Sequence, residues 1–123
     1  MVHTYKDLIV WQKAMEMVTA VYLLTEKFPA EELYGLTSQM RRSAVSVPSN
    51  IAEGKLRGSA KEFRQFLLIA YGSAGELETQ IELARRLPKT DKLDYTSATN
   101  LLEEVMKMLN TLIKQSSTLT PKA

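Results

Sequence analysis

The chain has no cysteine. That absence removes disulfides, thiolate metal sites and cysteine nucleophiles together, and it suits a reducing cytoplasm, the expected location. The single histidine, His3, has no second imidazole to share a metal with, and its place at the start of the chain favours a solvated side chain over a catalytic one. Glycine and proline are sparse, five and four in 123 residues. Strand-like alternation of apolar and polar residues is missing as well. Apolar runs are only a few residues long, far below the ~20 a membrane helix needs. The opening Met1-Val2-His3-Thr4-Tyr5-Lys6-Asp7 also lacks the regions of a signal peptide. No membrane partner is therefore expected. Sixteen basic residues face fourteen acidic ones, and a net charge of +2 is too near neutral to mark a nucleic-acid binder by itself.

What is present is helical spacing. Apolar residues recur three and four apart, which predicts an all-α chain, and 123 residues suit one domain, 1–123, around one core. Four helices are predicted, at about 8–28, 33–54, 60–86 and 92–115. The first has Asp7 as N-cap, a stripe of Leu8, Trp11, Met15, Val18 and Tyr22, and Pro29 as its stop. The second turns Leu33, Leu36, Met40, Ala44, Val47 and Ile51 inward, with Gly54 and Gly58 bracketing its exit. Ser59-Ala60-Lys61-Glu62 matches a capping box at the start of the third. Along that helix Phe63, Leu67, Ala70, Ala74, Leu77, Ile81 and Ala84 alternate four and three apart, the spacing of a shallow-angle seam, before Pro88 closes it. The fourth carries Ala98, Leu102, Val105, Leu109 and Leu112 before a Ser116-Ser117-Thr118 tail expected to fray. Similar lengths and short loops imply an antiparallel up-down-up-down four-helix bundle. Ile9, Val10, Val21, Leu24, Phe66, Ile69, Leu101, Met106 and Ile113 exceed one stripe per helix, so a second buried face, and with it a homo-oligomer, is expected.

The stretch from Met40 to Gly54 keeps helical spacing through Pro48 and three serines. An interior proline removes a backbone donor and crowds the carbonyl four residues back, at about 3 kcal/mol, so the surroundings must compensate. Ser43, Ser46, Asn50 and Glu53 make a polar stripe beside the apolar one. Two roles are open for it: satisfying carbonyls freed at the proline, or a buried network reaching a neighbouring helix or subunit, with Arg41 or Arg42. Arg42, Ser46, Pro48, Asn50, Glu53 and Gly54 are accordingly the candidate structural motif.

Tests for chemistry come out negative. No Glu-x-x-His pair exists for a di-iron bundle. Glu53, Glu62, Glu76 and Glu78 are accounted for by helix ends and an outer helix face. Gly72 and Gly75 follow no strand and precede no Gly-Lys-Ser/Thr, so a phosphate loop is excluded, and they are expected to admit a neighbouring helix instead. The expectation is a non-enzyme with no cofactor, no metal and no small-molecule substrate.

Charge is segregated along the chain. Residues 41–66 hold Arg41, Arg42, Lys55, Arg57, Lys61 and Arg64 against Glu53 and Glu62, whereas residues 67–84 hold three acids and no base. In an up-down bundle one pole collects Lys6, Lys55, Arg57, Lys61, Arg64, Lys114 and Lys122 against Asp7, Glu53 and Glu62, a surplus of four positive charges. Repeated around a ring, that patch suits nucleic-acid phosphates, while in a single subunit it is also an ordinary solvated pole. Lys6, Lys55, Arg57, Lys61 and Arg64 are the candidate nucleic-acid contacts.

Four ordered blocks carry a resemblance: Asp7 to Ala14, Phe28-Pro29 with Glu32 to Gln39, Arg41 to Gly54, and Glu62-Phe63 through Ile69 to Ser73 and on to Gln80. In these the chain resembles the bacterial four-helix bundle proteins encoded within intervening sequences of 23S ribosomal RNA genes, whose relatives include the accessory variability determinant of diversity-generating retroelements. The resemblance implies a homopentamer without assigned catalytic activity. The retroelement relatives are similar to basic barrels that bind RNA and a reverse transcriptase, and this nearly neutral chain departs from them in charge. The expected partners are thus further copies of itself and RNA or a ribonucleoprotein. The alternative is a protein–protein assembly module with no direct nucleic-acid binding.

Overall fold

The chain enters its first helix through a capped turn. Thr4 accepts a hydrogen bond from the Lys6 amide at 2.9 Å, and the Asp7 carboxylate reaches back to the Thr4 amide at 3.2 Å. This reciprocal cap belongs to a short 3₁₀ turn, Tyr5–Asp7, so Asp7 closes that turn instead of capping the helix behind it. In the computed structural model, which describes residues 4–119, four helices follow: α1 Ile9–Thr25, α2 Ser38–Leu56, α3 Ala60–Arg86 and α4 Thr96–Leu119. No strand occurs among the described residues. His3 and Lys122 lie outside them.

Four helix ends lie three or more residues from the sequence expectation. α1 stops at Thr25, and residues 26–28 tighten into turns with Lys27 bonded to Leu24 and Phe28 to Thr25, as a chain approaching Pro29 must leave helical geometry. α4 starts later, at Thr96, whose amide is held by Asp94 at 2.9 Å, and continues through the expected fraying point to Leu119. Between α1 and α2 a 3₁₀ turn, Ala30–Glu32, leads into a wide π-type turn, Leu33–Thr37, where Gly35 leaves helical geometry at φ −109°, ψ −111°. α2 therefore begins at Ser38, and Leu33 is 48% exposed instead of facing inward.

α3 and α4 bury the seams expected of them, Leu67 through Ala84 and Ala98 through Leu109. α1 does not. Its core line is Val10, Ala14, Met17, Val21 and Leu24, while Met15 and Tyr22 are exposed and Trp11 and Val18 half-buried. The helix has two adjacent apolar stripes, and the space between α2 and α4 takes the one that the sequence pattern ranked second. Of the surplus apolar residues, Val10, Val21, Leu24 and Ile113 go into the subunit's own core, and Ile9 and Ile69 stay exposed.

α1 packs on α2 and α4, α2 on α3, and α3 on α4, while the diagonal pairs scarcely touch. Thr25 meets Arg41, Ser46 meets Ser73, Arg64 meets Ile113, Arg85 meets Thr99, and Lys13 meets Glu104. Along α3 and α4, where two such pairs fix the direction, the partners run in the opposite order that antiparallel neighbours require. The result is an all-α four-helix bundle.

Pro48 sits inside α2 without ending it. Gly54 lies in the last turn of the same helix, and with Gly58 it brackets the exit at Leu56; a Cβ there would stand 2.6 Å from the Cβ of Phe66 and 3.2 Å from the Phe63 ring, so α2 and α3 approach closely at this point. Gly72 and Gly75, expected to serve that purpose, have nothing within 4 Å of the place a Cβ would occupy and face open space in the subunit.

Candidate nucleic-acid interface

The close passage at Gly54 determines what gathers at the pole beyond it. α2 runs on to Leu56, the chain reverses at Gly58 with φ +85°, a left-handed value that favours glycine, and Ser59 caps α3 by accepting from the Glu62 amide at 3.2 Å. The Glu62 carboxylate takes the Ser59 hydroxyl at 3.2 Å, so the box closes through side chains. This short reversal places Lys55 and Arg57 over the first two aromatic rings of α3. Lys55 Nζ stands 5.7 Å from the Phe63 ring centre and the Arg57 guanidinium 5.1 Å from that of Phe66.

The candidate cations are unequal. Arg57 is bound to Glu53 at 2.7 Å and lies 3.8 Å from Glu62. The hydrogen bond from Arg57 to Glu53, and next the charge of that carboxylate, raise the arginine's pKa above its ordinary value. Arg57 therefore stays charged and is paired with Glu53 where it stands. Arg64 donates through Nε to the Ile113 carbonyl at 3.4 Å, tying α3 to the end of α4. Lys6, Lys55 and Lys61 are exposed and form no ion pair among the described residues. Lys6 joins the pole because its turn packs against α2, with Tyr5 lining the same groove as Ser49 and Ala52. Lys114 is engaged in a contact of its own. The described pole thus keeps three ammonium groups without an ion pair among the described residues, one of them over the Phe63 ring.

Of the two roles left open for the polar stripe of α2, the structure shows the contact with a neighbouring helix. Asn50 donates to the Ser46 carbonyl at 2.8 Å and to the Ser46 hydroxyl at 2.9 Å, and the Ser46 and Ser73 hydroxyls meet at 2.8 Å across α2 and α3. The carbonyl held by Asn50 is that of Ser46 and not the Ala44 carbonyl that Pro48 leaves without its donor. Arg42 is exposed and lines a polar cleft between α2 and α3 with Ser43, Ser46, Ser73, Glu76 and Gln80.

The opposite pole is a structural knot. Thr90 donates to the Ala84 carbonyl at 2.6 Å, and Tyr95 donates to the Thr90 carbonyl at 2.7 Å under the Arg85 guanidinium. Burial pushes the Tyr95 hydroxyl up from its ordinary pKa. Hydrogen bonds from Thr96, the backbone one foremost, hold the Asp94 carboxyl below its own.

The sequence reading did not anticipate a second gathering of aromatic and basic residues, near the start of α2. Arg41 donates to Thr25 at 2.9 Å and lies 4.5 Å over the Tyr22 ring, and Tyr34 beside it is 94% exposed. These residues share a cleft with Leu33, Thr37, Arg42 and Val45. The only signal in the chain was Glu32-Leu33-Tyr34-Gly35, an apolar pair next to a glycine at a helix entry.

Among the described residues no group of His, Cys, Asp and Glu is arranged to hold a metal, and no helix is long and apolar enough to cross a membrane. The family model described as 23S rRNA-intervening sequence protein matches residues 6–111, most of the chain. No curated protein matches it.

Proposed function

Since the chain belongs to the 23S rRNA-intervening sequence protein family, we propose that it is a non-enzymatic, homo-oligomeric bundle that engages RNA or a ribonucleoprotein through its basic pole. The observation that supports this most is the trio of Lys6, Lys55 and Lys61, exposed and without carboxylate partners among the described residues, with Lys55 over the Phe63 ring. Three ammonium groups bind phosphate weakly from one subunit. Five copies around a ring, the number the family resemblance implies, would bring about fifteen to one face and make binding strong and salt-dependent. The assembly is read as acting in a bacterial cytoplasm.

The test is binding of a structured RNA, followed by fluorescence anisotropy at several salt concentrations, for the native chain and for Lys6→Gln/Lys55→Gln/Lys61→Gln. Removing one ammonium–phosphate pairing flattens the slope of log K against log salt by about 0.7–0.9. An unchanged slope, or no binding at low salt, removes the RNA reading.

The second reading is a protein-interaction module without direct nucleic-acid contact. It is favoured by the exposed Met15, Tyr22 and Val45 on α1 and α2 and by the exposed Leu33 and Tyr34 in the turn between them. A defined protein partner that stays bound in high salt after nuclease treatment, together with absent RNA binding, would decide for it.

A further inference from the structure

The polar cleft between α2 and α3 keeps hydrogen-bonding groups that the subunit does not use. Gly54 meets Phe66 and Ser46 meets Ser73, so the two helices run in opposite directions, and Gln39 and Arg42 on α2 come level with Glu76 and Gln80 on α3. The cleft has a volume of about 430 Å³, within the range of about 300–1,000 Å³ that small-molecule sites occupy. Every side chain that lines it is polar.

Two of these groups are buried and unmet. Ser43 is 7% exposed, yet its hydroxyl forms no hydrogen bond among the described residues. The side-chain carbonyl of Gln80 is enclosed and has no donor. Ser46 and Ser73 share one bond between two hydroxyls, and Ser46 also accepts from Asn50, so one O–H of that pair is unused as well. Buried polar groups are paired as a rule. Three unmet ones along a single cleft call for a partner from outside the subunit.

Two opposite charges stand at the mouth without meeting. Arg42 and Glu76 are both exposed, and neither has an ion-pair partner among the described residues. Arg42 offers only donors, in a fork that fits a carboxylate, whereas the Glu76 carboxylate and the Gln80 carbonyl only accept. An anion alone would leave the acceptors of α3 unmet, and a cation alone would leave Arg42. A molecule that carries both charges satisfies the two walls together. We propose that the cleft binds a small zwitterion of the free α-amino acid type, with its carboxylate on Arg42 and Ser43 and its ammonium on Glu76 and the Gln80 carbonyl. This is a binding site with no reaction assigned to it, and it does not rest on the RNA reading, which concerns Lys6, Lys55 and Lys61.

The test titrates the nuclease-treated full-length chain with glycine, L-serine and L-glutamine, followed by saturation-transfer NMR. Acetate, methylammonium and glycerol serve as single-charge and uncharged controls. Saturable binding of at least one amino acid below about 10 mM is expected, tighter than all three controls. Arg42→Gln and Glu76→Gln are each expected to weaken it about tenfold, the effect of one charge-assisted hydrogen bond. Both positions are exposed, so both variants are expected to keep the native melting curve by circular dichroism, and the loss reads binding and not folding. No saturable binding of any of the three amino acids would overturn the proposal, whether water or a second copy meets the polar groups of the cleft. Binding that both variants retain would place the ligand elsewhere and overturn it too. So would acetate or methylammonium bound as tightly as the amino acids, which would make this a site for one charge. RNA binding is measured separately and stands or falls on the pole variant.

Discussion

Gly54→Ala tests the close approach of α2 and α3. Elsewhere in an exposed helix that change gains about 1 kcal/mol, because alanine loses less backbone entropy than glycine. Here the new methyl would lie 2.6 Å from the Phe66 Cβ, with the Phe63 ring at 3.2 Å and the Phe63 carbonyl at 3.3 Å. Carbon atoms rest about 3.5–4.0 Å apart, so α2 and α3 must separate by about 1 Å at that level. A rotamer change cannot relieve the clash, since Cβ is fixed to the backbone. Overpacking of this kind costs about 1–3 kcal/mol, and with the propensity gain set against the upper part of that range the net loss is about 1–2 kcal/mol. In a chain of this size that lowers Tm by roughly 4–10 °C. Urea unfolding followed by circular dichroism, at one fixed protein concentration because assembly shifts apparent stability, gives the number. A variant as stable as the native chain, or more stable by the propensity increment, would refute the close approach and with it the placement of Lys55 and Arg57 over the α3 rings.

Three further outcomes follow from other parts of the bundle. In a double-mutant cycle, Ser46→Ala and Ser73→Ala are expected to show a coupling of about 1 kcal/mol in urea unfolding, since Ser46→Ala takes away the partner of the buried Ser73 hydroxyl, whereas Ser73→Ala leaves Ser46 its bond from Asn50; strict additivity would mean the hydroxyls do not bond. Thr37 is 3% exposed with an unpaired hydroxyl, so Thr37→Val should raise stability by about 1 kcal/mol, and a loss of that size would show that the hydroxyl has a partner. Asp94 has a folded-state pKa below its unfolded one, so its contribution is present above the unfolded pKa and is lost as pH falls through the folded value. Thermal melts of the native chain and of Asp94→Ala should therefore differ at neutral pH and converge under acid, and a gap that widened in acid would reverse the assignment.

How much could be read from the chain depended on whether a helix offers one apolar stripe or two. α3 was legible because a single seam, a serine cap and a following proline agree. α1 has adjacent stripes through Val10-Met17-Val21 and Trp11-Met15-Val18, and which one is buried depends on where α2 and α4 stand. The glycines show the same limit. Gly54, Gly72 and Gly75 look alike in sequence, and the positions of Phe63 and Phe66 make Gly54 the one of the three that admits a neighbouring helix. At the pole the clustering of bases was readable from helix order, and the i,i+4 spacing of Glu53 and Arg57 already allowed their pairing. The tether from Arg64 to Ile113 joins residues 49 apart, and no local pattern announces it.

Whether the unpaired ammonium groups of the pole bind RNA is decided by the salt dependence of affinity for a structured RNA. Three proteins are compared: the native chain, Lys6→Gln/Lys55→Gln/Lys61→Gln, and Arg57→Gln. The triple variant is expected to show a marked loss of affinity and a flatter salt slope. A much smaller change is expected for Arg57→Gln, whose charge Glu53 already holds. Equal affinity and slope in the native chain and the triple variant would contradict RNA binding through this pole.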